Sequence, residues 1–452
     1  MEKFFRLKER GTDVRTEILA GITTFMTMAY ILAVNPNILS ASGMDSTAVL
    51  IATCLASCVG SVLMGCMANL PFALSAGMGP NAFFAYTVCI GMGFPWKMAL
   101  FAVFVEGLIF ILLSVTNVRE AIFDSIPLSL KRAESVGLGL FIAFIGLQNS
   151  GVVVSSSTIV ELRDFRSDFS TGGICALLAV VGVIITAVLY YKKIKGAVFF
   201  GIVGTWALGM LCQLTGLYVP DNETYFSVLP SFGVTDFTAL SETFGECFDI
   251  EFDEVSVFDF IVVVVSFLFV DIFDTLGTLT GVATKADMLD EKGKFPAIKP
   301  ALLSDAIATS VGAILGTSTT TTFVESAAGI GVGGRTGLTA IVAGILFLIS
   351  TFMAPLFISI PSFATAPALV FVGFLMFTSV TKLDLGEDAD LTDVIPAFLC
   401  MIGMPLFYSI SDGIAIGIIS YVLLKLLCGK KEKLNPILCV IAVLFLLKYM
   451  FL

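Results

Sequence analysis

In "FLFVDIFDTLGTLTG", residues 267–281, Asp271, Asp274, Thr275 and Thr278 stand at i, i+3, i+4 and i+7. That spacing gathers two carboxylates and two hydroxyls on one face of a helix whose other faces are apolar. Ionisable groups inside an apolar segment are costly and mark places where a polar solute, an ion or a proton is handled. A polar face that only hydrogen-bonds to broken backbone nearby is the structural alternative. Two more groups share this character: Asn81 follows Pro80 in "SAGMGPNAFFAY", and Glu325 follows the Thr319–Thr322 run in "TTTTFVESAAGIGVGG". Both stretches hold Gly, Pro, Ser or Thr where an apolar helix would be expected. The chain has no histidine, which excludes the Ser-His-Asp triad, HExxH zinc hydrolysis and histidine proton shuttles. Proton chemistry here belongs to carboxylates.

The surroundings of these groups follow from composition. Of 452 residues, 57% are apolar and 13% charged, with a mean hydropathy of +0.99. Soluble proteins carry about 45–50% apolar and about 25% charged residues. Too few polar groups remain to coat a soluble particle, so the solvent of this chain is lipid. Ten cysteines, several inside apolar runs (Cys54, Cys58, Cys66, Cys400), lack CxxC spacing and read as small hydrophobes rather than disulfides or metal ligands. The first fifteen residues are charged and the first apolar run is long, so no cleavable signal is expected.

Spanning-length apolar segments fall near 16–36, 48–70, 98–116, 135–150, 172–191, 195–217, 256–282, 300–316, 337–356, 364–381, 391–408 and 411–428. Short glycine-rich segments near 81–92 and 323–334 raise the count to fourteen, and an apolar tail follows at 435–452. Lys and Arg should concentrate on the cytoplasmic side. With a cytoplasmic N-terminus, the inside segments carry Lys3, Arg6, Lys8, Arg10 and Arg15, then Arg119, Lys131 and Arg132, then Lys192, Lys193 and Lys195. They continue with Lys285, Lys292, Lys294 and Lys299, and end at Lys425, Lys430, Lys431 and Lys433. The acidic loop from Tyr218 to Val255 has neither Lys nor Arg; Lys97, Arg163 and Arg166 are the exceptions outside. The alternation holds only if both short segments count as crossings.

Each half therefore has two long helices, a Gly/Ser/Thr/Pro break and a short helix. Breaks at matching positions of two halves point to a transporter binding site, and seven crossings per half invert the second half. Unpaired backbone inside a membrane is tolerated only against protein or a watery cavity. A short helix starting there aims its free N–H groups and positive dipole end into that cavity. Asn81 and Glu325 are expected at two such starts. Glu106 and Asp305 read as hydrogen-bond partners across helices. "GIGVGGRTG" superficially looks like a dinucleotide loop, but close helix packing is the better use of its glycines. Thr23, Thr24, Thr27 and Tyr30 form a face expected to meet other helices rather than substrate.

"GITTFMTMAYILAVNP", "SAGMGPNAFFAYTV", "FVDIFDTLGTLTG" and "TTTTFVESAAGIGVGGRTGLTA" resemble signatures of the AzgA-type adenine/guanine/hypoxanthine permeases. These form a branch of the nucleobase–cation symporter (xanthine/uracil permease) family. The resemblance runs from about Phe4 to Gly429. It implies an all-α polytopic membrane protein of UraA-like fold, with fourteen segments in two inverted repeats of seven and a core and a gate domain. Short strands would precede half-helices in segments 3 and 10. Residues 1–217 would form the first repeat, 218–255 the acidic loop, 256–428 the second repeat and 429–452 a basic linker with an apolar tail. Carried over by residue, Asn81 matches the third-segment asparagine, Asp271 the eighth-segment acid and Glu325 the tenth-segment glutamate. Ala82 and Ser326 beside them join the implied substrate site. Asp274, one turn along, joins Glu325 and Asp271 as a coupling candidate.

The function these readings favour is import of purine bases across the cell membrane by proton symport, with no enzyme activity, cofactor, metal or nucleic-acid partner. The partners are a purine nucleobase, a proton and the bilayer, and a homodimer is compatible. A carboxylate pair plus an amide suits the mixed donors and acceptors of a purine. Na⁺ coupling stays open, since the same carboxylates could bind Na⁺, as does a xanthine/uracil substrate. An anion transporter on the same fold would want a basic or neutral site. A channel is disfavoured by the paired breaks, and an intramembrane hydrolase would have only paired aspartates as its route.

Overall fold

The computed structural model describes residues 2–116, 125–156, 159–166, 168–221, 225–250, 256–286, 288, 295–386 and 389–451. Arg119, Lys292, Lys294 and the loop end at 251–255, all used in the charge argument above, lie outside these residues. Apolar runs fold as helices, and their starts carry side-chain caps that replace the missing first-turn partners. Asp13 accepts from Thr16 N at 2.9 Å before α1 (Val14–Met28), which is followed by α2 (Ile31–Ser40). Asp45 accepts from Ala48 N at 2.8 Å before α3 (Ser46–Leu63). After a π-turn comes β1 (Leu74–Ala76), then α4 (Met78–Ala82), which continues as a π-helix over Phe83–Gly91. The first half goes on with α5 (Trp96–Thr116), α6 (Leu128–Asn149), β2 (Val153–Ser156), β3 (Ile159–Leu162), α7 (Ile174–Tyr191) and α8 (Ala197–Leu214).

The second half follows the same plan. It comprises α9 (Val257–Lys285), α10 (Ile298–Leu315), β4 (Thr320–Thr322), α11 (Ser326–Val332), α12 (Gly337–Ser350), α13 (Ser362–Phe377), α14 (Leu391–Phe407) and α15 (Ile410–Leu427). A last helix, α16 (Pro436–Phe451), packs on α15, and its Phe445 ring meets Phe269 of α9 at 5.5 Å. Among the described residues, nine helical stretches are long and apolar enough to cross a membrane. The protein is helical and of membrane type. The hairpin β2–β3, an antiparallel pair between α6 and α7, has no counterpart in the sequence reading, where short alternating strands give little signal.

Two sets of helices pack mainly among themselves. In one, α10 lies on α5 and α3, and α12 on α3 and α1, with α9 and α11 alongside. In the other, α6 packs on α13 and α14, α7 on α8 and α13, and α14 on α15. Small residues let the second set approach closely. A Cβ at Gly139 of α6 would stand 2.5 Å from the Gly373 carbonyl and 2.8 Å from Met376 Cβ, both on α13. The acidic loop folds back on the helix ends. Thr243 Oγ1 donates to the Leu315 carbonyl at 3.1 Å, and Lys97 pairs with Glu246 at 2.5 Å and Asp249 at 2.6 Å. Those pairs give Lys97, an exception to the charge rule, a local reason to be there.

Gly139→Val should force α6 and α13 apart. Overpacking of this kind costs about 1–3 kcal/mol, read as a lower thermal midpoint of the detergent-solubilised protein. An unchanged midpoint would contradict the close approach.

Candidate functional site

The breaks in the two halves meet each other. β1 and β4 pair antiparallel, with Leu74 opposite Thr322, Ser75 opposite Thr321 and Ala76 opposite Thr320. Gly77 N donates to Thr319 O at 2.9 Å, and Phe323 N to Ala73 O at 3.1 Å, which extends the ladder at both ends. All six strand residues are buried. A two-stranded ribbon leaves two open edges, and inside a lipid-solvated body each unpaired group would cost several kcal/mol by the usual range.

Side chains of the helices preceding the strands close both edges. On the β1 edge, Ser61 of α3 accepts from Leu74 N at 3.0 Å and donates to Leu74 O at 3.2 Å. On the β4 edge, Asp305 of α10 accepts from Thr322 N at 3.1 Å, and Thr309 donates to Thr320 O at 3.0 Å. Asp305 is thus a hydrogen-bond partner of broken backbone, as its sequence context suggested. Glu106 of α5 accepts from Thr319 Oγ1 at 3.1 Å, across helices.

Each strand hands its chain to a helix. Glu325 stands at the N-cap of α11 but makes no side-chain cap bond. Its Oε1 instead accepts from Tyr30 OH at 2.7 Å. Tyr30, at the α1–α2 junction, is therefore a site residue that the sequence reading assigned to helix packing. Only its distant fold partner reveals the role. Gly329 allows the approach of α11 to α1, since a Cβ there would sit 2.7 Å from the Ala20 carbonyl.

Asn81 differs from expectation. The helix starts at Met78 with Gly77 as cap, so Asn81 lies in the first turn, its N–H bonded to Gly77 O at 2.9 Å. Its side chain is fully buried; Nδ2 donates to Asn35 Oδ1 at 2.5 Å, and Ser318 donates to its Oδ1. Asn35 in turn donates to Thr53 at 2.7 Å and Thr317 at 3.1 Å. This network ties α2, α3, α4 and the start of β4 together. Ala82 is buried beside Asn81, and Ser326 Oγ accepts from Ala73 N at 3.0 Å.

The polar face of α9 closes the site. Asp271 is buried and accepts from Thr275 Oγ1 at 2.7 Å, while Thr275 reaches Asp305 at 3.2 Å. Asp274 and Thr278, on the same face, are half-buried, as is Glu325. Asp274 lies in the electrostatic field of Asp271 and Glu325 and beside Thr321. Val324, next to Glu325, is 55% exposed. Glu325 and Asp274 thus keep part of their surface accessible, where a carboxylate facing hydrocarbon would be strongly unfavourable. At the far end of α4, Asn149 of α6 donates to Tyr86 OH at 2.7 Å, and the Tyr86 and Phe141 rings meet Tyr408 at 6.0 and 5.4 Å.

Polar groups gather at two broken helices, with Glu325 and Asp274 half-buried among them, and the family and relatives mark a transporter rather than an enzyme. The chain belongs to the permease family (Xan_ur_permease), whose sequence pattern matches residues 15–416. A permease of Methanocaldococcus jannaschii is 44% identical over 455 residues, covering 100% of this chain and 98% of that protein. The guanine/hypoxanthine permease PbuG of Bacillus subtilis is 43% identical, covering 100% of both chains. The adenine permease AdeP of Escherichia coli is 40% identical, covering 100% of this chain and 96% of its own. Among solved structures, the transmembrane domain of the cyanobacterial bicarbonate transporter BicA superposes with a TM-score of 0.63 at 14% identity, covering 90% of this chain and 97% of that one. The murine Solute Carrier 26 family member A9 anion transporter gives 0.61 at 11% identity, covering 92% and 68%. The fold is shared with these anion carriers. The chain is a multi-pass membrane protein.

The geometry separates accessible from buried positions. In a cysteine-free background, Val324→Cys should react readily with a water-soluble maleimide, and Ser75→Cys, in the ribbon, should stay unlabelled. Equal labelling of both would contradict the buried ribbon and the exposure of Val324 beside it.

Proposed function

We propose that this chain is a secondary active transporter that imports purine nucleobases, adenine, guanine or hypoxanthine, by proton symport across the cell membrane. The observation that carries the reading is Glu325. It is a half-buried carboxylate at a broken-helix start that accepts a hydrogen bond from the Tyr30 hydroxyl. Relatives that match along the full chain at 40–43% identity bear the names adenine and guanine/hypoxanthine permease, which supports the substrate class. The carboxylates accept from purine ring N–H groups, and when protonated they donate to ring nitrogens. Micromolar capture needs about −8 kcal/mol, within reach of a few desolvated charge-assisted hydrogen bonds and ring packing.

In this reading Asp271 and Glu325 are the central carboxylates for the base, with Asp274 one turn along as a coupling candidate, and Asn81, Ala82 and Ser326 complete the site. The coupling proton resides among Glu325, Asp271 and Asp274, since no histidine can take it. One charge crossing 100 mV supplies about 2.3 kcal/mol, roughly fifty-fold accumulation at about 1.4 kcal/mol per tenfold.

The same proposal sets the topology: fourteen segments as inverted repeats over 1–217 and 256–428, the acidic loop 218–255 outside, and 429–452 as linker and tail. The equivalence of Ser61 on the β1 edge and of Asp305 with Thr309 on the β4 edge supports the repeat. The two helix sets correspond to a core (α1–α5, α9–α12) and a gate (α6–α8, α13–α15).

In proteoliposomes, an inward proton gradient should stimulate hypoxanthine uptake, a protonophore should abolish it, and Na⁺ should be dispensable. Glu325→Ala should weaken uptake at least about tenfold at normal abundance, the loss expected for a charge-assisted bond worth about 1.5–3 kcal/mol. Uptake that ignores pH and follows Na⁺ would overturn proton coupling, and wild-type affinity in Glu325→Ala would overturn the site.

Orientation has its own test. A single cysteine replacing Leu240 should label with an impermeant reagent in intact cells. Labelling only after permeabilisation would reverse the topology.

A further inference from the structure

A second cavity, of about 350 Å³, is built from residues that the transport site does not use. Separate stretches of the first helix set line it: Arg10 ahead of α1, Leu70 ahead of β1, Phe295, Pro296 and Ala297 ahead of α10, and Arg335 ahead of α12. Small-molecule sites are usually about 300–1,000 Å³, so the space suits a small ligand.

The two arginines are fixed by one arm of each guanidinium. Arg10 Nη1 donates to Asn69 O and to Arg335 O, both at 2.8 Å. Arg335 Nη1 donates to Ile330 O and Gly334 O, both at 2.8 Å. Nε and Nη2 of both residues make no hydrogen bond among the described residues, and both residues are half-buried. Arg6 and Lys8 nearby in the chain pair with Glu9 at 3.9 Å and Glu2 at 3.5 Å. Neither Arg10 nor Arg335 is ion-paired among the described residues. The acid bonded into this corner is Glu17 of α1, which is fully buried. Its oxygens are taken by Arg335 N at 2.8 Å, Thr336 N and Thr339 N at 3.3 Å, and Thr339 Oγ1 at 2.7 Å. Glu17 therefore serves the start of α12, and the two guanidinium groups keep donors for something else.

The rest of the wall is apolar. Phe295, whose ring lies 6.1 Å from that of Phe72, stands with Leu70, Pro296 and Ala297. A cavity with guanidinium forks and an apolar wall suits an anion carried on an apolar body. A carboxylate has two oxygens and fills one fork, whereas a phosphate has oxygens for both.

We propose that this cavity binds a phosphate ester, its phosphate held by Arg10 and Arg335 and its apolar part against Leu70, Phe295 and Pro296. Two sources carry this chemistry, a soluble purine nucleotide and the headgroup of an anionic phospholipid. Either one ties together the segments that lead into α1, α10 and α12. Both α10 and α12 pack on α3, whose Ser61 closes one edge of the ribbon. The proposal uses none of the residues assigned to the purine and stands apart from that reading.

The test follows the thermal midpoint of the detergent-solubilised full-length protein, which rises when a ligand binds the folded state. One arm adds guanosine monophosphate; the other adds phosphatidylglycerol, with phosphatidylcholine as control. The wild type should respond to guanosine monophosphate if the source is soluble, or to phosphatidylglycerol above phosphatidylcholine if it is lipid. Arg10→Gln should need at least about tenfold more ligand for the same rise, the loss expected for a charge-assisted bond. Ala297→Glu adds an acid to the cavity and removes none of the arginine bonds, and should weaken the response as strongly. If Arg10→Gln fails to fold, Ala297→Glu decides alone. A wild type that responds to neither ligand overturns the site, as does a response that Ala297→Glu leaves unchanged. Hypoxanthine should still raise the midpoint of both variants; its loss from both, with the wild type responding, would mark general damage and overturn the assignment. A wild type without any hypoxanthine response would overturn the purine reading alone.

Discussion

A peptide group without a partner cannot be left inside a lipid-solvated body, and this chain breaks its backbone there twice. The β1–β4 ribbon is how it survives the breaks. Each strand supplies the other's partners, and Ser61, Asp305 and Thr309 close the outer edges. Asp305 also meets Thr275, which bonds to Asp271, so the support of the ribbon continues into the polar face of α9. Removing the ribbon would leave two helix starts and the carboxylates around them without a frame.

The same constraint explains why polar groups in the first helix set divide between support and display. Asn81, Asn35, Thr53 and Thr317 spend their capacity on each other and fix α4 against its neighbours. Glu325 spends one oxygen on Tyr30, and its side chain is only half-buried. A site that must bind and release a polar solute needs both kinds. Fully satisfied networks hold geometry, while accessible carboxylates retain capacity for a ligand.

Much of this was legible in the sequence. Helix runs, both breaks and the i, i+3, i+4, i+7 face of α9 appear as composition and period. That a strand precedes each short helix was legible only through resemblance, and the pairing of the two strands was not legible at all, because Leu74 and Thr322 are far apart in the chain and three-residue strands carry no period. Asn81 read as a helix start because Pro80 precedes it, but the strand ends earlier and Gly77 takes the cap. Tyr30 was read as a helix-packing residue because its role comes from Glu325, 295 positions further along the chain. The hairpin β2–β3 was missed because its strands are four residues long.

The central claim is that a purine binds against Glu325 beside the ribbon. An experimental structure of the protein with hypoxanthine tests it most directly. The account predicts ring density between the starts of α4 and α11, with a ring N or N–H within about 3 Å of a Glu325 carboxylate oxygen. Well-defined density for the base elsewhere, with Glu325 still bonded only to Tyr30, would contradict it.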